Sequence, residues 1–262
     1  HTRCSRDWSS DVCSSDLTYG DRLHPPENTL EALAGIVSDT FDRKGHLLIP
    51  SFAVGRTQDL LYLFAELRRG GRIPEIPIYL DSPLATEATE ILLSHQAWQR
   101  LSEPELRALG AVAKIVKTRE HSKDLLEARS STIVIAGSGM LSGGRILHHL
   151  ERRIGDPSTA LLLVGYQAPG TRGVQLLRGA PEIKIHGRYF PVKASISELP
   201  GLSAHADQAE IHEWLKGFRR PPRVTYLVHG EPHAADTLRL KLKDSLGWEA
   251  KIPKQGEEFT LS

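Results

Sequence analysis

Two histidines near the end of the chain lie where imidazoles could do chemistry. His229 follows an apolar run and precedes a glycine, so a strand end would hold it rigidly, and His205 lies in the segment LSAHAD. Imidazole binds metal ions and transfers protons near neutral pH. A zinc ion takes three or four protein ligands, and the sequence has no His-x-His-x-Asp-His cluster to supply the others. A purely structural role, without metal binding or proton transfer, is therefore the alternative for both histidines. The sequence position of His229 at a strand end, taken alone, favours the structural role.

A glycine-rich segment, GSGMLSGGR at residues 137–145, connects a predicted buried strand to a helix. Its glycines can bring backbone N–H groups close to an anion, and Ser138 and Arg145 add side-chain donors. Gly139 and Met140 lie within the turn. The segment is a candidate anion-binding loop, although a tight connection with positive φ angles explains the same glycines. It is neither a Walker loop nor a Rossmann fingerprint.

A second strand-to-helix connection has the sequence SFAVGR, residues 51–56. Ligands of open parallel sheets bind outside the carboxyl ends of the strands, so we expect the two connections to face one crevice. Ser51 and Arg56 are its candidates for binding a phosphate. Arg56 suits that role because a guanidinium group binds oxyanions through two hydrogen bonds. A solvated arginine in a helical first turn is the alternative. Asp81 ends a third predicted strand, where the pattern favours capping of the next helix by Asp81 or Ser82.

Strands and helices alternate over the first two thirds of the chain. Asn28 and Glu31 form an Asn-x-x-Glu variant of the capping box, which predicts a helix start. The strand-like runs are almost continuously apolar, which is typical of a parallel sheet covered on both faces. The predicted strands are residues 46–52, 76–81, 131–136 and 160–166, with helices at 56–69, after Pro83 and from Gly144. The predicted class is α/β, with a doubly wound parallel sheet.

The pattern changes around Pro181. Residues 182–185 and 192–199 are consecutive predicted strands with no helix between them. They are followed by a helix from Asp207, a strand at residues 223–229, a helix through Leu246 and two short strands near residues 249–252 and 258–261. A second, mixed region is therefore predicted from residue 181.

Composition bounds the kind of protein this can be. With 40% hydrophobic and 25% charged residues among 262, collagen, wholesale disorder and a disulfide scaffold are excluded. The formal charge of +1 means that a polyanion must be bound by a local patch or a metal ion. No apolar run approaches the roughly 18 to 20 residues that a membrane span needs. We expect a cytoplasmic protein with no membrane partner.

The first seventeen residues, HTRCSRDWSSDVCSSDL, differ from the rest of the chain. They contain both cysteines and a repeated Ser-Ser-Asp, and they lack the periodicity of a helix or a strand. The segment is similar to translated sequencing-adaptor sequence joined to a truncated reading frame. We therefore expect residues 1–17 to be foreign to the fold, with a short disordered tail as the alternative.

Taken in order, six segments of this sequence resemble one protein family. They are PSFAVGRTQDLL, IYLDSPLA, GSGMLSGGRILHHL, LLLVGYQAPGTRG, LSAHAD and LVHGE. The resemblance is to the β-CASP branch of the metallo-β-lactamase superfamily, nucleases that include ribonuclease J, and it runs from Thr18 to the end of the chain. The bacterial RNA-processing members are the most similar.

The resemblance implies a β-CASP domain at residues 18–180 and the C-terminal part of a metallo-β-lactamase αββα sandwich at residues 181–262. Family members use two zinc ions to activate a water molecule for attack on a phosphodiester. By resemblance His229 is a metal ligand. His205 matches the histidine that contacts the scissile phosphate or assists proton transfer to the leaving oxygen. The residues expected to bind substrate are Ser51, Arg56, Ser138, Gly139, Met140 and Arg145.

The sequence also departs from the family pattern. The main metal motif of the family precedes the segment TYGDR, and here only the suspected foreign residues precede it. Asp16 stands where relatives have the glutamate that partners the equivalent of His205, and we assign it no role because it lies in that segment. The site for two zinc ions is therefore expected to be incomplete.

These observations lead to a fragment of a zinc-dependent RNA nuclease as the main hypothesis. The chain as given is expected not to bind two zinc ions and not to cut RNA. It is expected to bind single-stranded RNA through contacts to the RNA backbone, and a homodimer is a further expectation. A catalytically silent RNA-binding or scaffolding module is the alternative. A small-ester hydrolase of the same superfamily is disfavoured, because a compact substrate needs no second domain to grip a backbone.

Overall fold

The chain divides into two compact units. In the computed structural model, residues 12–25 and 28–260 are described, with side chains except those of residues 12–16 and 200. The larger unit is Pro26–Leu202, and the smaller unit combines residues 1–25 with Ser203–Ser262. The boundary at residue 202 differs from the expected family boundary at residue 180, because strands after residue 181 pair within the larger unit.

A six-stranded parallel sheet forms the centre of the larger unit. The strands are β2 (Leu47–Pro50), β3 (Ile78–Asp81), β4 (Lys114–Ile115), β5 (Ile133–Ala136), β6 (Ala160–Val164) and β9 (Ser195–Leu199). Their order in the sheet is β4-β3-β5-β2-β6-β9, so β3, β4 and β5 lie on one side of β2, and β6 and β9 lie on the other. All five strand pairs are parallel. The predicted doubly wound α/β class is confirmed.

Helices cover both faces of this sheet. Successive strand residues point to opposite faces, so Leu47 and Ile49 lie in one core and Leu48 lies in the other. Burial on both faces explains the continuous apolar runs of the strands. The first core contains residues of α1 (Thr29–Asp42), α2 (Arg56–Arg69), α3 (Pro83–Ser94) and α4 (Glu103–Ala111). The second contains residues of α5 (Arg119–Leu126), α6 (Ile146–Arg153) and α7 (Arg172–Leu177).

The start of α1 agrees only in part with the predicted capping box. Asn28 caps the helix, because its side chain accepts hydrogen bonds from the backbone N–H groups of Leu30 and Glu31. The Glu31 carboxylate pairs with Arg72. A tertiary ion pair has replaced the reciprocal bond that the sequence pattern predicts.

The region after Pro181 belongs to the larger unit up to residue 202. Strands β7 (Glu182–Ile185) and β8 (Arg188–Pro191) form an antiparallel hairpin, and β8 was not predicted. β9 then pairs with β6 along its whole length, so it extends the parallel sheet. As predicted, no helix lies between β7 and β9. β9 belongs to the parallel sheet of the larger unit, however, and not to the second region that was predicted from residue 181.

The smaller unit has a three-stranded parallel sheet in the order β1-β10-β11. The strands are β1 (Val12–Asp16), β10 (Val224–Val228) and β11 (Ala250–Lys251), with helices α8 (Gln208–Leu215) and α9 (Pro232–Leu246). Its core contains Leu17, Ile211, Leu227, Leu238 and Trp248. The closing strand predicted near residues 258–261 is wrong for residues 258–260, which form no strand.

The segment expected to be foreign or disordered is partly within this unit. Residues 1–11 lie outside the described residues, whereas residues 12–16 form β1 and pair with all five residues of β10. Leu17 is fully buried in the core. Residues 12–17 therefore do not form a disordered tail, and the foreign origin of residues 1–17 stays a prediction.

None of the described helices is both long enough and apolar enough to cross a bilayer.

Candidate functional site

Two strand-to-helix connections of the larger unit lie side by side. The sheet brings β2 next to β5, and the Ser51 N–H donates to the carbonyl of Ala136 at 2.9 Å. A Cβ atom at Gly139 would lie 2.8 Å from the ring of Phe52, so these loops are in close contact. The expected neighbourhood of the two connections at one sheet edge is present.

The hydroxyl of Ser51 is used inside the protein. Ser51 is buried, and its Oγ accepts a hydrogen bond from Thr57 Oγ1 at 3.0 Å. Thr57 also bonds to the carbonyl of Phe52 at 2.7 Å. Ser51 therefore holds the loop that presents the exposed Phe52, and its hydroxyl is turned away from solvent.

Arg56 lies between two strand-end loops. It begins α2, its side chain is 12% exposed, and its guanidinium donates to the carboxylate of Asp59 at 3.2 Å. A Cβ atom at Gly165, just after β6, would lie 3.7 Å from Arg56 Nε. Burial raises the pKa of Asp59, and the charge of Arg56 opposes that rise. The side chain is packed across the sheet edge and exposes a small part of its surface.

The glycine-rich loop at residues 137–145 is held by Ser138. Ser138 Oγ accepts hydrogen bonds from the N–H groups of Ser142 and Gly143, at 3.1 and 3.2 Å. Gly144 has φ +75°, and a Cβ atom there would lie 2.3 Å from the carbonyl oxygen of Gly137. The predicted need for glycine is confirmed at Gly144. Two N–H groups that an anion could bind are satisfied by Ser138 Oγ.

Arg145 is the exposed member of a buried polar network. Asp81 is fully buried, and its carboxylate accepts from Arg145 at 2.6 Å, Ser122 at 2.7 Å and His149 Nε2 at 2.8 Å. Burial alone would raise the pKa of Asp81, but hydrogen bonds from His149, Ser122 and Arg145 together hold that pKa below its usual value. The side chain of Arg145 is 21% exposed, whereas those of Asp81 and His149 are fully buried.

Asp81 or Ser82 was predicted to cap the next helix, and Ser82 is the residue that does so. Ser82 is the N-cap of α3, and its Oγ accepts from the N–H of Ala85 at 3.4 Å. Asp81 instead anchors Arg145 and His149, which are 64 and 68 residues away. A carboxylate at the end of an otherwise apolar buried strand is the one sequence signal that indicated such a role.

A polar cleft of about 320 Å³ lies beside the glycine-rich loop. Arg172 lines it, and its guanidinium donates to the carbonyls of Leu141 at 2.8 Å and Lys184 at 2.7 Å. Lys184 also lines the cleft, with its ammonium 5.4 Å from the ring centroid of Tyr189. These two cations were not among the predicted residues, although Arg172 lies in the family segment LLLVGYQAPGTRG. Met140 is half-buried in the same loop.

In the smaller unit, His205 and His229 come together although 24 positions separate them. Their ring centroids are 6.3 Å apart, and both residues are exposed. The ring of Tyr19 lies 6.3 Å from that of His205 and 5.4 Å from that of His24. We call Tyr19, His24, His205 and His229 the imidazole cluster.

Asp207 fixes the backbone around this cluster. It caps α8 by accepting from the N–H of Glu210 at 2.9 Å, and it also accepts from the N–H of His24 at 2.7 Å. Burial opposes ionisation of Asp207, but these backbone hydrogen bonds hold its pKa below the usual value. His24 Nε2 bonds to the carbonyl of His205 at 2.9 Å. The segment TYGDRLH is thereby tied to LSAHAD.

The described side chains do not make a zinc centre around His229. Within residues 12–25 and 28–260, two groups of three side chains have ligand atoms close enough for one ion. One is His24, Asp207 and Glu210, and the other is His148, Glu151 and His186; neither contains His205 or His229. The side chain of Asp16 lies outside the described part. The donors that are described therefore do not fit the implied pair of zinc ions.

Two family models match separate parts of this chain. Residues 57–176 match the Beta-Casp domain, and residues 189–253 match the Zn-dependent metallo-hydrolase RNA specificity domain. The chain belongs to the β-CASP branch of the metallo-β-lactamase superfamily. The glycine-rich loop and Arg145 fall within the first β-CASP match, which begins one residue after Arg56, whereas His205 and His229 fall within the second.

Several curated β-CASP relatives are similar over nearly the whole chain. Ribonuclease TTHA0252 of Thermus thermophilus is 38% identical over 255 residues, which is 95% of this chain and 58% of that protein. Transcription termination factor FttA of Thermococcus kodakarensis is 32% identical over 260 residues, covering 94% and 40%. The RNase J-like protein of Methanocaldococcus jannaschii is 29% identical over 254 residues, covering 94% and 58%. The chain thus spans 40% to 58% of the length of these relatives.

Proposed function

We propose that this chain supplies the RNA-binding part and two active-site histidines of a metal-dependent ribonuclease. The observation that carries the proposal is the approach of the exposed His205 and His229 rings to 6.3 Å in a chain that matches an RNA specificity domain. The name of the relative Ribonuclease TTHA0252 supports phosphodiester hydrolysis as the reaction class.

The larger unit is proposed to bind the phosphates of single-stranded RNA. Arg145, whose side chain is 21% exposed, lies at the end of the glycine-rich loop, and Arg172 and Lys184 line the adjoining polar cleft. These groups add local positive charge to a chain with a formal charge of only +1. Because such contacts go to the backbone, they position the RNA without reading its bases.

His205 is proposed to donate a proton during cleavage. A water oxygen forms a bond to phosphorus and releases a proton to the solvent, the bond from phosphorus to the leaving oxygen breaks, and an imidazolium N–H of His205 passes its proton to that oxygen. His24 bonds the backbone carbonyl of His205 and so holds the segment in place. His229 is proposed as one metal ligand, and any others must come from residues outside those described here, since the described side chains supply no group of three around it.

The chain by itself is therefore proposed to bind RNA without cutting it. The test uses the purified chain with an end-labelled single-stranded RNA, with and without added zinc. Binding is measured by fluorescence anisotropy, and products are resolved on denaturing gels. We expect salt-sensitive binding and no cleavage. Chelator-sensitive cleavage that disappears in His229→Ala would show that the chain is active, and the absence of binding would contradict the RNA proposal.

A silent RNA-binding module is the second candidate. It is favoured by the absence of a three-ligand group around His229 among the described side chains, and relatives named transcription termination factor FttA show that not every family name is that of a nuclease. The enzyme proposal places His205 against a phosphate, so His205→Ala should weaken RNA binding several-fold. Unchanged affinity would favour the silent module. His121→Ala, an exposed histidine of α5, is the matched control.

A further inference from the structure

Three potential metal ligands meet on the surface of the larger unit, in a different unit from the imidazole cluster. His148 and Glu151 lie on α6, and His186 lies in the turn between β7 and β8. Their ligand atoms are all within 4.8 Å of one another. The rings of His148 and His186 are 4.9 Å apart between centroids, and His186 Nδ1 lies 3.1 Å from Glu151 Oε2.

The backbone positions of the three residues are fixed by packing. Residues three apart on a helix share one face, so His148 and Glu151 project together. Ile183 and Ile185 of β7 are buried in the same core as Leu147 and Leu150 of α6. The hairpin and the helix therefore share one hydrophobic core, and His186 and Arg188 of the hairpin bond to Glu151 of the helix.

The turn that carries His186 is tight. Ile185 pairs with Arg188, so the connection has two residues, and His186 and Gly187 have φ angles of +46° and +84°. Positive φ at both positions is the geometry of a type I′ hairpin, which suits Asn-Gly better than His-Gly. Histidine is, with Asn and Asp, among the non-glycine residues enriched at positive φ, so this turn accepts it and holds the imidazole at a defined place.

Two histidines and one glutamate are a set of ligands that zinc takes when it keeps a fourth position for water. With metal–ligand bonds of about 2.0–2.2 Å, the ligand atoms of a tetrahedral site lie roughly 3.3–3.6 Å apart. The separation of His186 and Glu151 is within a few tenths of an ångström of that range. His148 is exposed, so its ring can rotate toward the other two.

Arg188 leaves the required oxygen accessible. It pairs with Glu151 Oε1, whereas His186 faces Oε2. A cation at Oε2 would replace the bond between His186 and the carboxylate, and Arg188 would continue to orient the carboxylate from its other side.

We propose that His148, Glu151 and His186 bind one divalent transition-metal ion of the zinc type. The ion links the β7–β8 hairpin to α6 and stabilises the larger unit. The competing state is a metal-free ion pair network in which Glu151 serves only His186 and Arg188. Nothing in this site depends on the proposed RNA chemistry, because no residue of the site belongs to the RNA-binding loops or to the imidazole cluster.

The test is a metal titration of the untagged, metal-free chain. Zinc binding is followed by calorimetry, and Co²⁺ binding is followed through its visible absorption. All variants carry His24→Ala and His229→Ala, which remove potential ligands from the imidazole cluster and from the group His24, Asp207 and Glu210. We expect one ion per chain in this background and a rise of a few degrees in the thermal midpoint on adding zinc.

His148→Ala is the decisive variant. It leaves the bonds of Glu151 to His186 and Arg188 intact and places a good helix former on an exposed position of α6. We expect at least about a tenfold loss of zinc affinity and loss of the zinc-dependent thermal shift. His186→Ala should do the same, and His121→Ala should change neither. Equal binding in His148→Ala and its parent, or no binding in the parent, would overturn the proposal.

Discussion

Asp81 is a buried anchor at the carboxyl end of β3 in the larger unit. Its buried carboxylate accepts hydrogen bonds from two segments: Ser122 of α5, and Arg145 and His149 at the N-cap and within α6. Because its pKa in the fold lies below the ordinary value of 3.8, ionised Asp81 stabilises the folded protein above that pH. The contribution is lost as the pH falls through the lower folded pKa.

Asp81→Asn should destabilise the larger unit by about 2–4 kcal/mol, because an amide presents N–H groups to donors and leaves the Arg145 charge without its counterion. Urea unfolding at neutral pH measures the change. Ser82→Ala, which removes the neighbouring helix cap, is the control and should cost about 1 kcal/mol. A loss for Asp81→Asn no larger than that of Ser82→Ala would refute the anchoring role.

His46 is a buried histidine that must stay neutral in the fold. It is 5% exposed, its Nδ1 lies 2.8 Å from Thr132 Oγ1, and burial together with the nearby Arg153 lowers its pKa to about 4. In the unfolded chain it gains a proton below its ordinary value of 6.5. The unfolded state therefore binds more protons between pH 6.5 and 4, and His46 reduces the free energy of unfolding progressively as the pH falls through that window.

His46→Asn should remove this pH dependence while keeping a polar atom near Thr132. We expect the loss of stability between pH 6.5 and 4 to be smaller by about 2–3 kcal/mol in the variant. The measurement is the urea midpoint at several pH values. His121→Asn changes an exposed histidine and should leave the parent pH profile unchanged; equal profiles for His46→Asn and the parent would contradict the account.

At the scale of elements, the glycine-rich loop is shaped by one position more than by its composition. Gly144 combines φ +75° with a close approach to the carbonyl of Gly137. Gly143, its neighbour, has open space where a Cβ atom would lie. The loop therefore contains a glycine that the backbone requires next to one that it does not.

Gly144→Ala should lower the free energy of unfolding by about 2 kcal/mol or more, since alanine is strained at this φ and its Cβ atom would force the loop apart. Gly143→Ala should change stability by less than about 1 kcal/mol. Both are measured by urea unfolding, with RNA affinity as a second readout. Equal effects of the two substitutions would show that the loop tolerates a different path.

At the scale of the whole molecule, nearly balanced charge makes local cations decisive for binding a polyanion. The chain has 33 Lys and Arg residues against 32 Asp and Glu residues. Many arginines are paired with carboxylates, as Arg107 is with Glu103 at 2.7 Å on α4. Lys184 lines the polar cleft, and its ammonium lies over the ring of Tyr189.

Lys184→Gln and Arg56→Gln should each weaken RNA binding and reduce the slope of log affinity against log salt by about 0.7 for each phosphate that is no longer neutralised. The binding of a single-stranded RNA at four or more salt concentrations gives the slope. Arg107→Gln is the control and should leave it unchanged. The side chain of Arg56 is only 12% exposed, so its contact with a phosphate is the less secure of the two. If Arg56→Gln has the same salt slope as the parent chain, Arg56 does not belong to the RNA-binding surface.

Much of the architecture was determined by the sequence. The continuous apolar runs predicted β2, β3, β5 and β6 to within about two residues, and the helical spacing predicted α2 at Arg56–Arg69. Strands buried on both faces leave this signal because each of their side chains enters one core or the other. Order and spacing of six motifs also determined the family, which the family comparisons confirmed.

The partners of the polar groups were decided only by tertiary structure. Local sequence predicted capping of α3 by Asp81 or Ser82, which Ser82 provides, but only the fold brings Arg145 and His149 to Asp81 from more than sixty residues away. In the same way, β9 pairs with β6 and β1 pairs with β10. The local sequence of a strand does not identify the strand with which it pairs. Hydrophobic periodicity is a local property of the chain, but the desolvation of a charge and the pairing of a strand edge depend on residues that only folding brings into contact.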